Sequence, residues 1–166
     1  MSLDVETVMW WFMEIKKSNE YFMSLAIKEA LKAYRINETP IGCIIVKDDK
    51  IIARAYNKRE KDNLVISHAE INAIKKASKI LGDWRLVGCK MYVTLEPCIM
   101  CAGAIIQSRI DELYYGAKEP RFGSIVSYTN IFDLDYNHKV KVFGGIKEDI
   151  CSKVLKDFFK ELRSQK

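Results

Sequence analysis

Two periods of apolar and polar residues alternate along this chain, and the switches between them mark its elements. A helical period covers roughly residues 19 to 35. Two strand-like runs follow, Ile41 to Lys47 and Ile51 to Tyr56, and the Asp48-Asp49 turn between them predicts a β-hairpin. Ala69, Ala73, Ile74, Ala77 and Leu81 then form a stripe at helical spacing, with Ser67 as the expected N-cap. The run Lys90-Met91-Tyr92-Val93-Thr94-Leu95 reads as a strand, and Pro97 is suited to begin another helix. A strand at Glu112 to Tyr115 leads into a loop-rich stretch from Gly116 to Asn137. A last strand, Val140 to Phe143, passes through Gly144-Gly145 into a closing helix with a stripe of Ile150, Val154, Leu155, Phe158 and Leu162. A hairpin followed by strands alternating with helices predicts an α/β fold, a three-layer α/β/α sandwich around a mixed five-stranded sheet. No internal repeat or linker interrupts it.

Composition narrows this picture modestly. A chain of 166 residues, 49% of them hydrophobic, is long enough for one well-packed domain, expected over residues 18–166. Residues 1–17 precede the regular patterning and are expected to be a variable extension of unknown role. Their apolar run, Val8 to Met13, is too short to span a bilayer, follows Asp4 and Glu6, and lacks a small-residue cleavage site, so neither a signal peptide nor a membrane anchor is expected. Five cysteines, an odd number, argue for a reducing compartment and a cytoplasmic location over a disulfide framework. A net charge of +5 and a pI near 8.9 fit a polyanionic partner but occur in many proteins that touch no nucleic acid.

The chemistry concentrates in residues 68 to 101, where His68-Ala69-Glu70 and Pro97-Cys98-Ile99-Met100-Cys101 stand with 26 residues between Glu70 and Pro97. One imidazole and two thiolates suit Zn²⁺ and leave a fourth tetrahedral position for water, while Glu70 stands beside them unneeded as a ligand. Placing Cys98 and Cys101 at a helix start favours their thiolate forms. Two blander readings compete: a C-x-x-C pair alone also fits a redox pair or half a structural zinc site, and Ser67-x-x-Glu70 fits a capping box. A structural site would normally supply four ligands. The second histidine, His138, is remote in sequence, and Cys43, Cys89 and Cys151 are isolated and read as small buried hydrophobes.

H-x-E followed by P-C-x-x-C is the pattern of the zinc-dependent nucleobase deaminases. Over roughly residues 20 to 164 the chain resembles, more narrowly, the bacterial tRNA-specific adenosine deaminases of the cytidine-deaminase-like superfamily. The resemblance is carried by Tyr92 through Ala104, Ser108-Arg109-Ile110, Trp84-Arg85-Leu86, Tyr115-Gly116-Ala117, Asn137-His138, Gly145-Ile146 and Asp157-Phe158-Phe159. It departs at Lys118 to Ser127, where relatives usually have a longer, glycine-rich loop.

What the resemblance implies is a cytidine-deaminase-like fold that converts the wobble adenosine of a tRNA anticodon, in an arginine tRNA, to inosine. It implies one Zn²⁺ per chain on His68, Cys98 and Cys101, Glu70 as the proton-transferring catalytic group, and a homodimer whose subunits both contact the anticodon stem-loop. Substrate contacts would come from Asn57, Ala69, Arg85, Glu119, Arg121, Asn137, Phe159 and Arg163, with Arg85, Arg121, Lys160 and Arg163 as a cationic rim. The blander reading of Asn57 is a turn asparagine. Phe159, beside Phe158 and partly off the apolar stripe, is placed either to stack on an unpaired base or to pack in the core. Within the superfamily the competing function is deamination of a free base or nucleoside such as guanine or cytosine, which needs a closed pocket and no basic rim. A non-catalytic zinc module that only binds RNA would need no acid beside an open zinc.

Overall fold

The computed structural model describes residues 17–165. The apolar run Val8 to Met13 therefore lies outside the described residues, as do all but the last residue of the expected extension. Helix α1, Asn19–Arg35, opens with Ser18 as its cap, whose hydroxyl accepts from the Tyr21 N–H at 3.1 Å. Strands β1 (Gly42–Lys47) and β2 (Lys50–Tyr56) form the expected hairpin. Asp48 and Asp49 both take positive φ, 50° and 57°, the conformation a two-residue turn needs to match the right-handed twist of the strands. Strand β3 (Cys89–Leu95) lies on the other side of β1 and antiparallel to it, while β4 (Glu112–Ala117) and β5 (Lys141–Phe143) continue the sheet in parallel. The order is β2-β1-β3-β4-β5, a mixed five-stranded sheet.

Both faces of the sheet are covered, which is why its strands are nearly continuously apolar. On one face, Ile44, Val46, Tyr92 and Tyr114 meet Phe22, Met23, Ala26 and Ile27 of α1 and Cys151 of the last helix, α5 (Glu148–Ser164). On the other, Cys43, Ile45, Met91, Val93 and Leu113 meet Ala69, Ala73 and Ala77 of a helix at Ala69–Leu81 and Ala102 and Ile105 of a helix at Ile99–Gln107. The alternation of successive residues between these two sets is the period of two that a pleated strand imposes. The result is the α/β/α sandwich. A one-turn helix, Arg59–Asp62, precedes the Ala69 helix, so the helices in chain order are α2 (Arg59–Asp62), α3 (Ala69–Leu81) and α4 (Ile99–Gln107). Cys43, Cys89 and Cys151 are all buried in these cores.

Local differences from the expected elements have identifiable causes. Ser67 does not cap α3; His68 occupies the cap position. The Ser67 hydroxyl is committed elsewhere, donating to Asp62 Oδ2 at 2.6 Å and accepting from Asn72 Nδ2 at 3.1 Å. Pro97 does not begin α4 either, since Cys98 is its cap. The Pro97 carbonyl accepts from the Ser124 N–H at 2.9 Å and Cys98 bridges to Gly123, which holds this segment extended. Helix α2 and the 3₁₀ turn Ile131–Asp133 are too short to show a period.

Close approach of α1 to the sheet depends on Gly42. A Cβ there would run into the α1 backbone at Ala26 and Ala30. Gly42→Ala is accordingly expected to destabilise the protein by about 1–3 kcal/mol or more through overpacking. Urea denaturation of the two proteins checks this, and equal midpoints would count against the packing described.

Candidate active site

The site sits at the carboxyl end of β3, where the N-termini of α3 and α4 converge. Burial of the alanine stripe pins α3 to the sheet and leaves its first residues at this edge, so His68 as cap and Glu70 in the first turn point to a common place. The chain leaves β3 through Glu96 and Pro97, and Cys98 caps α4 with Cys101 one turn later. His68 Nδ1 lies 3.7 Å from Cys98 Sγ and 3.6 Å from Cys101 Sγ, and the three donor atoms all fall within 4.8 Å of one another. Tetrahedral Zn²⁺ with Zn–N near 2.0–2.1 Å and Zn–S near 2.3 Å places its ligand atoms roughly 3.5–3.8 Å apart. The donor set and its spacing thus fit zinc.

The electrostatics are those of a site built for a cation. A hydrogen bond from the Cys101 thiol, opposed by burial and aided by His68, lowers Cys98 to about 4. The complementary hydrogen bond to Cys98, together with burial, raises Cys101. His68 is raised, first by its hydrogen bond to Cys98. The two cysteines therefore hold one proton between them, and a metal that takes both as thiolates must displace it. Glu70 is only 4% exposed, and burial is the chief cause of its rise to about 7. Its Oε2 is the one buried side-chain oxygen or nitrogen without a hydrogen-bond partner among the described residues. Such a group is costly to hold in a folded protein unless it faces a ligand.

A cavity of about 880 Å³ opens above this centre, with His68, Glu70 and Cys98 in its floor. Of the residues expected to contact substrate, Glu119, Arg121, Phe159 and Arg163 line it. Phe159 also meets Phe158 edge-on at 5.3 Å, so its ring both packs and faces the cavity. Asn57, Ala69, Arg85, Asn137 and Lys160 are not among the lining residues. Asn57 is buried just behind the wall, donating from Nδ2 to Glu38 Oε2 at 3.2 Å and to the carbonyl of Thr39, itself a lining residue, at 3.4 Å. Ala69 is wholly enclosed in the α3–sheet core. Arg85 pairs with Asp83 at 3.4 Å and lies over the Trp84 ring at 4.4 Å, while Asn137 accepts from Arg109 at 2.9 Å.

Several lining residues carried no recognisable signal. Arg59 comes from the one-turn α2, and Val65 and Ile99 are exposed apolar residues at the cavity mouth. Two buried carboxylates, Glu96 in the cavity wall and Glu38 behind it, are each 1% exposed, and no local pattern in the sequence marks either as buried. Glu96 at least stands inside the segment that carries the family resemblance.

Comparison with known proteins agrees with this geometry. The family model of the cytidine and deoxycytidylate deaminase zinc-binding region matches residues 16–117. The chain is 45% identical over 149 residues to a tRNA-specific adenosine deaminase of Bacillus subtilis, covering 89% of this chain and 92% of that protein. A solved structure from work on A-to-I editing by tRNA:A34 deaminases superposes with a TM-score of 0.79 at 43% identity, covering 81% of this chain and 99% of that one. A guanine deaminase of Bacillus subtilis superposes less closely, with a TM-score of 0.60 at 32% identity over 76% of this chain and 83% of the other. With its zinc-type donor set, its buried glutamate and these likenesses, the chain belongs to the zinc-binding cytidine and deoxycytidylate deaminase family, and within it to the tRNA-specific adenosine deaminases.

Proposed function

We propose that this protein hydrolytically deaminates adenosine to inosine at the wobble position of a tRNA anticodon, with an arginine tRNA as substrate. The observation that carries the reading is the buried Glu70 carboxyl, with its Oε2 unpaired, beside His68, Cys98 and Cys101 at the base of an open, cation-lined cavity. When bound by these three residues, zinc supplies Lewis acidity that brings the pKa of water toward neutrality. Glu70, with a pKa raised toward 7 by burial, is suited both to take a proton and to return it. Its carboxylate accepts the proton of the attacking water, delivers it to N1 of the adenine as C6 becomes tetrahedral, and then assists departure of the amino group as ammonia. Water adds and ammonia leaves, so atoms balance with no further reactant.

The choice of RNA over a free base rests on the cavity. At about 880 Å³ it is near the upper end for small-ligand sites and far larger than one base requires. Arg59, Lys118, Arg121, Lys156 and Arg163 line it, a set that suits phosphates. An anticodon loop already presents unpaired bases, so the unstacking cost of a few kcal/mol is largely avoided. Phe159 at the cavity wall is suited to stack on a neighbouring base. The same reading includes a homodimer acting in the cytoplasm. Among the described residues no helix is long and apolar enough to cross a membrane.

Three outcomes test it. Elemental analysis is expected to find one zinc per chain, removable by a strong chelator together with activity and restored by adding zinc. Glu70→Ala is expected to keep zinc and fold while turnover falls by roughly 10²–10⁴-fold or more, read as inosine formed in tRNA. A zinc-loaded Glu70→Ala protein with normal turnover would overturn the proton-transfer role. Replacing Arg121, Lys156 and Arg163 together by Gln is expected to weaken tRNA binding and to reduce its salt dependence by roughly 0.7–0.9 in log–log slope for each phosphate no longer neutralised. Intact affinity and slope in that variant, or ammonia release from free guanine matching inosine formation in tRNA, would favour the free-base reading.

A further inference from the structure

We propose that Glu96 is a positioning residue that clamps the 119–127 loop over the cavity and so sets how the RNA is held, an inference that rests on the tRNA reading above. The loop supplies Glu119, Arg121 and Phe122 to the cavity lining. One carboxylate gathers both of its ends.

Glu96 is 1% exposed, and both of its oxygens are occupied. Oε1 accepts from three consecutive backbone N–H groups, those of Ile125 at 3.2 Å, Val126 at 2.7 Å and Ser127 at 2.9 Å. Oε2 accepts from the Glu119 N–H at 3.1 Å and from the Ser127 hydroxyl. The loop therefore closes on the carboxylate from both ends, 119 and 125–127, with Arg121 and Phe122 at the tip between them. Among the described residues those four N–H groups have no other hydrogen-bond acceptor, so removing the carboxylate would leave the loop backbone unpaired. Gly123 allows this approach, since a Cβ there would come within 2.6 Å of the Glu96 carboxyl carbon. The Ser124 N–H donates to the Pro97 carbonyl at 2.9 Å and Gly123 bridges to Cys98, so the loop is tied to the same strand end that places a metal donor.

A purely structural buried carboxylate would affect stability evenly. This one holds a segment whose exposed side chains, with Phe122 68% exposed, face the substrate space and not the core. Charge-assisted hydrogen bonds to backbone N–H groups are the strong kind, and a cluster of five sharing one carboxylate fixes the loop as a unit. Freed of it, Arg121 and Phe122 would sample many positions, and their ordering would have to accompany each RNA-binding event.

The test uses the full-length zinc-loaded enzyme and its Glu96→Gln and Ser127→Ala variants. Gln retains the size of Glu but replaces an accepting oxygen with an amide NH₂ that cannot accept. Glu96→Gln is expected to speed tryptic cleavage after Lys118 and Arg121 roughly tenfold or more, with cleavage elsewhere unchanged, as local opening predicts. Its KM for tRNA is expected to rise roughly tenfold or more, while the single-turnover rate at saturating tRNA falls by much less. Ser127→Ala, which removes one of the five donors without touching the carboxylate, is expected to move both readouts the same way to a smaller degree, and it decides the matter if Glu96→Gln fails to fold or loses zinc. Unchanged cleavage at both sites, or a fall in single-turnover rate with KM unaltered, would overturn the clamp. Because the cleavage readout needs no substrate, a wild-type enzyme inactive on tRNA would sink the substrate reading while leaving the clamp to be decided on its own.

Discussion

Everything at this site depends on two helix N-termini meeting at the end of one strand. The positive ends of α3 and α4 and their free N–H groups make the meeting point favourable for anionic sulfur, while the surrounding core makes it unfavourable for an unpaired carboxylate. Cys98 and Glu70 respond in opposite directions to nearly the same location: one thiol is drawn down toward 4 and one carboxyl is pushed up toward 7. Hydrogen bonds from Cys101 and His68 dominate at Cys98, whereas burial dominates at Glu70. A zinc-type donor set and a carboxyl with a raised pKa thereby stand side by side.

Holding Glu70 there with Oε2 unpaired costs stability, on the order of 1–3 kcal/mol for a buried unsatisfied polar atom. The sheet offsets it. Its central strands are buried on both faces, and fully enclosing residues such as Ile44, Ile45, Met91 and Leu113 contributes about 1.5–3 kcal/mol each. Small residues bring the layers close: alanines 69, 73 and 77 let α3 lie flat on one face, and Gly42 does the same for α1 on the other. The zinc-type donor set is thus mounted at the edge of the buried sheet, whereas most of the cavity wall comes from connections, α2 and α5.

The strands and long helices were readable because burial on a periodic backbone leaves a periodic trace. The hairpin was marked by Asp48-Asp49, α1 by its amphipathic period, and α3 by its alanines, each to within a residue or two. Errors fell at helix starts. Ser67 and Pro97 are ordinary helix-opening residues, but which residue caps a helix depends on what else can bond its side chain and carbonyl. Asp62 and Asn72, each five residues from Ser67, and Ser124, remote from Pro97, are those partners, and only the folded chain aims them at these two residues.

The donor set His68, Cys98 and Cys101, with Glu70 beside it, was determined by the sequence alone, because a metal accepts few residue types and a helical turn permits few spacings between them. Tertiary structure decided what surrounds that set. Arg85 and Asn137 stand in segments that resemble the family as strongly as any, yet one is engaged by Asp83 and Trp84 and the other by Arg109, away from the cavity lining. Glu38, enclosed behind the wall, holds Asn57, and Glu96, buried in the wall itself, holds the 119–127 loop. A carboxylate's role is set by which donors the folded chain brings to it, and that convergence of remote backbone N–H groups has no counterpart in local sequence.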